Sequence, residues 1–179
     1  MSARIVAALT LLVVLGATGC KDPIARPAGT DGTARWAFNI AQPSLGGDYE
    51  LRQILGTMVF VDGRLPANVG NWSFVTWSPS QQSIRQVTVA ADASVSVDNR
   101  AEAAPGPGIA GTLPATWADS PAVLGSTNGT RDANATIAKL MVLNVASYNG
   151  VPNQAVWGIN FDAGGNQLVR PDGTYIGPQ

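Results

Sequence analysis

Hydrophobic and polar residues alternate along four short stretches of the chain, at residues 72–77, 87–89, 95–97 and 157–161. In the first stretch Trp72 and Phe74 share one side, while Trp77 lies on the other. In the last stretch Trp157 and Ile159 share one side. A period of two is typical of strands that bury one face and expose the other. The pattern therefore predicts antiparallel strands with one solvated face.

Two longer apolar segments, LGTMVFV and LMVLNVASY, fit a strand but also fit a helical stripe. They are residues 55–61 and 140–148, and the choice between strand and helix concerns residues 49–60 and 136–148. Their β-branched residues, and the Asp62-Gly63 or Asn149-Gly150 pair that follows, favour strands that enter hairpins. The pattern by itself leaves a helix open for both segments.

Helix signals precede the strands in each half of the chain. Asp31 is a suitable N-cap for a helix that runs through Gln42, and Pro43 would end that helix. In the second half Ser120 is the expected N-cap of a helix that ends before Gly129. Each half is therefore expected to begin with a helix.

The two halves also resemble each other. Aligning Trp72 with Trp157 brings Asp92 against Asp172, and each aspartate lies in a turn between short apolar strands. Each half has a further tryptophan upstream, in ARWAF and ATWAD. The fold class expected is α+β, with two repeated helix–strand–strand–strand units whose antiparallel sheets are covered by helices. The expected boundaries are a first unit at 31–98, a linker rich in Pro, Gly and Ala at 99–116, and a second unit at 117–179.

Three short motifs carry a resemblance to a known family: WADSPAV near the second helix, the strand VWGINF, and the closing RPDGTYI. Together they resemble the PepSY-like units of exported bacterial lipoproteins. In that family a Trp-containing central strand packs on the helix, and a turn with Asp and Gly closes the unit. The resemblance implies an antiparallel sheet covered by helices and a role in periplasmic binding or peptidase control. It implies no catalytic residues.

The N-terminus has the features of an export signal. Arg4 precedes an apolar run over residues 5–15, which is too short to cross a bilayer comfortably. Small residues then lead into Cys20, the only cysteine of the chain, and this resembles the lipobox of bacterial lipoproteins. We expect residues 1–19 to be the signal peptide, residues 20–30 a tether, and Cys20 the lipidation site. The alternative is an ordinary signal peptide that is cut elsewhere near a chance cysteine.

These features predict a partner and a location. An acylated Cys20 would place the protein on a lipid bilayer, since each buried methylene adds about 0.8 kcal/mol of membrane affinity. Lys21 follows the cysteine, a choice that favours the outer membrane under the enteric sorting rule, facing the periplasm or the cell surface. The net charge of −1 and the absence of a basic cluster make nucleic acid an unsuitable partner.

The composition excludes most catalytic machinery. The chain has no histidine, so neither a Ser-His-Asp nor a Cys-His arrangement can form. Phosphate-binding glycine motifs and zinc-binding cysteine pairs are also missing from the sequence. The segment from Asp162 to Asn166 gathers oxygen ligands, but it lacks the spacing of a calcium loop and fits a hairpin turn. We therefore expect no enzyme, no cofactor and no metal site.

The tryptophans have two interpretations, as core residues or as contacts for a partner. Trp36, Trp72, Trp117 and Trp157 recur in the two halves, which favours packing in a duplicated core. Trp77 has no counterpart in the second half. It is expected either to cover the joint between the units or to form an exposed contact for a partner.

The sequence thus favours a non-catalytic lipoprotein that binds an envelope protein or peptide, with peptidase control as one such role. Binding would use strand addition at a sheet edge or the surface around Trp77. One alternative is a carrier of small molecules or glycans with a pocket between sheet and helices. The other alternative is a structural part of an envelope assembly.

The lipid anchor predicts the mass of the protein purified from membranes. We expect an intact mass equal to residues 20–179 plus acyl chains on Cys20. Mass spectrometry of the detergent-extracted protein measures this directly. A soluble chain with an unmodified Cys20 thiol would contradict the prediction.

Overall fold

The computed structural model describes residues 31–148 and 151–179, and this part of the chain forms one large antiparallel sheet. Its strands are β1 (Glu50–Phe60), β2 (Asn71–Ser78), β3 (Ser83–Ala90), β4 (Val95–Ala101), β5 (Ile137–Tyr148), β6 (Val151–Phe161), β7 (Asn166–Val169) and β8 (Tyr175–Pro178). Helix α1 (Ala34–Ala41), followed by a 3-10 turn (Gln42–Ser44), precedes β1, and helix α2 (Ser120–Gly125) precedes β5.

The strand order is β4-β3-β2-β1-β5-β6-β7-β8, and every neighbouring pair is antiparallel. The two segments that the sequence left open are both strands, and they pair with each other at the centre of the sheet. Within β1 the buried positions alternate with less buried ones, as expected for a strand that buries mainly one face.

The two halves of the sheet are related by an approximate two-fold axis. Leu55 of β1 pairs directly with Val142 of β5, and equivalent rows of side chains run outward from this point. One row contains Gly56, Trp72, Val89 and Val95, and its counterpart contains Leu143, Trp157, Val169 and Tyr175. Trp72 and Trp157, which the sequence alignment matched, therefore occupy equivalent positions in the second strand of each half.

The predicted α+β class is wrong. The described chain is largely β, with one eight-stranded sheet, and its two α-helices contain only eight and six residues. Each half has four strands after its helix, not three. Helix α1 ends at Ala41, one residue before the predicted end, whereas α2 ends at Gly125, where a run of tight turns begins before Gly129. Such short helices cover part of one face of the sheet and cannot form a layer over it.

The helix caps also differ from the predicted ones. Thr33, not Asp31, is the N-cap of α1, and its hydroxyl accepts a hydrogen bond from the amide of Trp36 at 3.2 Å. Asp119, not Ser120, is the N-cap of α2. The buried Ser120 hydroxyl instead accepts from the amide of Ala34 at 2.9 Å and donates to the carbonyl oxygen of Gly63 at 2.6 Å. The hydrogen bond from Ala34 to Ser120 thus joins the start of α1 to the start of α2. Capping rules consider only neighbours along the chain and do not predict such a tertiary contact.

The main core lies on the face of the sheet that carries the helices, which we call the core face. Trp72 and Trp157 are fully buried there. Trp117 packs edge-on against Trp157 with a centroid distance of 6.4 Å, and against Phe38 of α1 at 5.8 Å. The guanidinium of Arg35 lies 3.6 Å from the Trp117 ring centroid. Aromatic side chains therefore fill the space between helices and sheet that the carrier hypothesis would use.

Trp36 and Trp117 do not occupy equivalent places, unlike Trp72 and Trp157. Trp36 lies within α1, whereas Trp117 precedes the N-cap of α2. The similar letters of ARWAF and ATWAD therefore do not reflect a structural equivalence. The indole nitrogens of Trp72 and Trp157 differ as well. Nε1 of Trp72 donates to the carbonyl of Gly32, whereas Nε1 of Trp157 has no hydrogen-bond partner among the described residues.

Gly56 makes room for the Trp72 ring beside it. A Cβ added at Gly56 would lie 2.8 Å from Cε3 of Trp72 and closer still to the outer ring atoms. Gly158 of β6 is also a strand glycine, but a Cβ there would meet only the carbonyl oxygen of Val142, at 4.0 Å. The two glycines thus form a matched pair, one in a crowded position and one in an open position.

We predict that Gly56→Ala lowers the free energy of unfolding by about 1–3 kcal/mol, because the added methyl group overpacks a buried site. The matched control, Gly158→Ala, should leave stability unchanged or raise it by up to about 1 kcal/mol, since alanine loses less backbone entropy on folding. Urea unfolding followed by tryptophan fluorescence measures both. Equal effects of the two substitutions would contradict the packing assigned to Gly56.

Candidate binding surfaces of the sheet

The segment that connects β4 to α2 crosses the sheet instead of looping away from it. A bulge in β1 between Leu51 and Gln53 anchors this connector, which comprises residues 102–119. The buried Arg52 side chain at the bulge donates to the carbonyl of Ala110 and to the carboxylate of Glu50. The amide of Leu113 donates to the carbonyl of Leu51 at 2.8 Å. The middle of the connector, where Ile109 packs against the cluster of Val75, Trp77 and Ile84, thus lies on the sheet face opposite the helices, which we call the open face. Further along the connector, Leu113 and Trp117 belong to the main core.

Trp77, the predicted partner contact, lies under this connector. It forms a small second cluster with Val75 and Ile84, and Leu55 and Ile109 pack against it. Only 7% of Trp77 is exposed. The alternation in the sequence placed Trp77 correctly on the face opposite Trp72, but the structure buries it in a cluster against which Ile109 of the connector packs. Its role as a partner contact stays a prediction, and it would require the connector to move.

The second half of the open face carries a groove where the first half carries the connector. The row Gln53, Val75, Gln86 lies beneath Ile109 and its neighbours, and its two-fold counterpart is the row Leu140, Asn160, Asn166. That counterpart row lines an open groove of about 470 Å³ over β5, β6 and β7. The counterpart in the first half is a smaller pocket of about 140 Å³ that Ile109 of the connector also lines. The connector therefore narrows in one half the surface that is open in the other.

The groove has an apolar floor and a rim of amide groups. The floor contains Leu140, Val142, Val156, Leu168 and the bare backbone of Gly158. The rim contains Asn144, Asn160, Asn166, Gln179, Ser147 and Tyr148. None of the thirteen lining side chains is charged. A neutral ligand with both apolar groups and hydrogen-bonding groups fits this chemistry, because amides can donate and accept. Sequence reasoning missed the site, since its residues lie on three strands and become one surface only in the folded sheet.

Strand β4 is a second exposed surface, at one edge of the sheet. All seven of its residues are exposed, and Val95 and Val97 are exposed by 42% and 46%. The opposite edge, β8, has four residues and ends with Pro178, which has no amide hydrogen to donate. An exposed edge presents unpaired backbone groups to another strand, so β4 is the better of the two edges for strand addition.

The aspartates of the turns are used to hold the chain in place. Asp162 accepts hydrogen bonds from the hydroxyl of Thr136 at 2.7 Å and from the amides of Thr136 and Ile137 at 3.0 and 3.2 Å. These bonds, with that of the Thr136 hydroxyl as the largest effect, lower the pKa of Asp162 from 3.8 to about 2. Asp162, once weighed as a calcium ligand, thus closes the junction between β5 and β6. Within residues 31–148 and 151–179, no group of three or more His, Cys, Asp or Glu side chains is placed to hold a metal ion.

Matching turns recur in the two halves. The amide of Ser94 donates to the carboxylate of Asp92 at 2.9 Å, and the amide of Thr174 donates to that of Asp172 at the same distance. The pKa of each aspartate is lowered, by the Ser94 side chain above all for Asp92 and by the Thr174 amide above all for Asp172. Asp92 and Asp172, which the alignment of the two halves matched, therefore both stabilise turns through their carboxylates.

Comparison of the chain with protein-family models, curated proteins and solved structures found no match in any of the three sets. The PepSY-like resemblance therefore stays a prediction from short sequence motifs. The signal peptide, the tether and the lipidation site Cys20 lie outside the described residues. Among the described residues, the helices are all too short or too polar to cross a membrane.

The Asp162 contacts predict a loss of stability in acid. A carboxylate whose pKa is lower in the folded state stabilises that state above pH 3.8, and this contribution disappears as the pH falls through about 2. We expect the urea midpoint to fall between about pH 5 and about pH 2.5, and to fall less in Asp162→Asn, which no longer titrates at this position. An identical fall in both proteins would show that Asp162 contributes nothing to the acid transition.

Proposed function

We propose that the protein is a lipid-anchored, non-catalytic binding module of the bacterial cell envelope, and that its groove holds an uncharged peptide segment of an envelope protein. The observation that carries this proposal is the connector on the first half. It is a Pro/Gly-rich segment of the chain itself that turns tightly from Gly106 to Ile109, and Ile109 lines the two-fold counterpart of the groove.

The contacts of the connector indicate how a peptide would bind. Ile109 packs its aliphatic side chain against the cluster that contains Val75, as Leu55 does. Leu140 and Val142 provide a comparable apolar floor in the groove, and Leu140 is 39% exposed there. Burying an aliphatic side chain of a ligand on this floor contributes about 1.5–3 kcal/mol, so the apolar contact supplies affinity.

The amide groups of the rim suit a peptide backbone. Nδ2 of Asn144, which lines the groove, already donates to the carbonyl of Gly108 in the connector at 3.4 Å. Nδ2 of Asn160 donates to Oδ1 of Asn166 at 2.6 Å. Since a side-chain amide has two hydrogens, Asn144 and Asn160 each keep a second N–H for a ligand. A charged segment would lose hydration without gaining an ion pair in the groove, so the lining favours a neutral peptide.

The anchor is the second part of the proposal. An acylated Cys20 would hold the sheet close to a membrane surface through the tether of residues 20–30. The mature chain would then meet envelope proteins at a high effective concentration, and a weak groove would suffice for binding. The absence of histidine supports a role in binding instead of catalysis.

The test is a titration of the ¹⁵N-labelled full-length protein with the neutral peptide acetyl-APGPGIAGT-amide, which copies residues 104–112. We expect amide shift changes confined to β5, β6 and β7, with a dissociation constant below about 1 mM. Gly158→Val should weaken binding at least about tenfold, because its side chain fills the floor and the site offers open space for it.

Two controls make the result decisive. Gln86→Val adds the same side chain to the open face of the first half, at the counterpart of Asn166, and should leave the affinity unchanged. A peptide with aspartate in place of isoleucine should not bind. Absence of binding by the parent peptide, equal binding to Gly158→Val, or shifts centred on Trp77 would each overturn the proposal.

A further inference from the structure

We propose that the edge strand β4 pairs with β4 of a second copy of this chain. The pairing would be antiparallel and centred on Asn99, and it would join the two sheets into one continuous sheet. This inference does not depend on the groove, which lies in the other half of the molecule. It rests on the direction of the backbone groups of β4, on the order of its charges and on its exposed valines.

The hydrogen bonds of the β3–β4 hairpin determine which backbone groups are free. The amide of Ala90 donates to the carbonyl of Ser94, and the amide of Glu102 donates to the carbonyl of Gln82, both at 2.9 Å. The register between these two points has no irregularity. Since bonded and non-bonded pairs alternate in an antiparallel ladder, the N–H and C=O groups of Val95, Val97, Asn99 and Ala101 point away from β3.

Only some registers of two β4 strands are possible. Residues whose backbone N–H and C=O groups point away from β3 must lie opposite such residues of the other copy. Because these residues alternate along β4, the two-fold axis of the pairing passes through a residue and not between two residues. A centre at Asp98 places the two Asp98 carboxylates opposite each other, and a centre at Arg100 does the same with two guanidinium groups. Like charges directly opposite each other destabilise a strand pair.

The register centred on Asn99 is the complementary one. It places Asp98 of each copy opposite Arg100 of the other, so that two ion pairs form on the open face. These positions are non-hydrogen-bonded pairs in the new ladder, in which side chains approach most closely. Arg100 already contacts Glu102 on its own strand through Nε at 2.8 Å, and 63% of the Arg100 side chain is exposed. It is therefore accessible to a second carboxylate.

The same register covers apolar surface on the core face. Val97 of each copy would lie opposite Ala101 of the other, and Val95 would lie opposite Ala103. Val95 and Val97 are among the exposed large hydrophobic residues of the described chain. The pairing thus satisfies backbone groups, pairs charges and shields valines in one arrangement. A long exposed edge strand without protection is otherwise a site of uncontrolled association.

Charge reversal tests the register. Sedimentation equilibrium of the full-length protein in detergent should show a monomer–dimer equilibrium. Asp98→Arg and Arg100→Asp should each weaken the dimer by roughly tenfold or more, because each places like charges opposite each other twice. The double variant Asp98→Arg/Arg100→Asp should restore the wild-type affinity. Lys139→Asp, a charge reversal of equal size at an exposed position of β5, is the matched control and should have no effect.

Cysteine cross-linking tests the centre of the pairing. Two copies of Asn99→Cys would have Cα atoms about 5.5 Å apart, within the range of a disulfide, whereas two copies of Val95→Cys would lie far apart. Mild oxidation should cross-link Asn99→Cys above the background that Cys20 gives in the wild type, and should not cross-link Val95→Cys. A monomeric wild type at about 100 μM, a double variant that does not recover, or cross-linking at position 95 would each overturn the proposal.

Discussion

The pairing of β1 with β5 is the interaction on which the rest of the structure depends. It runs from Gln53 opposite Asn144 to Phe60 opposite Ile137, and it is the junction at which two four-stranded halves become one sheet. Each half by itself would have one short helix and too little core for a stable domain. Joined at this seam, Ile54 and Leu143 become fully buried, and the aromatic residues of both halves share one core.

The approximate two-fold symmetry is broken by the connector between the halves. The bulge at Arg52 holds the connector on the first half, where Ile109 packs against the cluster of Val75, Trp77 and Ile84. Within residues 31–148 and 151–179, no second connector lies on the other half. Its counterpart surface, around Leu140 and Val142, is open there as the groove.

The sequence predicted the strands better than the fold class, and the reason is physical. Alternation is a local property of the backbone, so the faces of Trp72, Trp77 and Trp157 could be read directly. Helix α2 is shorter than predicted because cap signals mark where a helix can start, while its length depends on what it packs against. The Ser120 hydroxyl shows this, since its partners are the amide of Ala34 and the carbonyl of Gly63. Pro43, in contrast, marked the end of α1 to within one residue.

The sequence by itself determined the alternating strands, the equivalence of Trp72 and Trp157, the turn-forming roles of Asp92 and Asp172, and the lack of histidine chemistry. All of these depend on residue identity or on near neighbours along the chain. Only the tertiary structure decided that Trp77 is covered, that the groove is open and that β4 is an edge. Those properties depend on contacts between segments far apart in sequence, where the free energy of packing is not encoded in any local pattern.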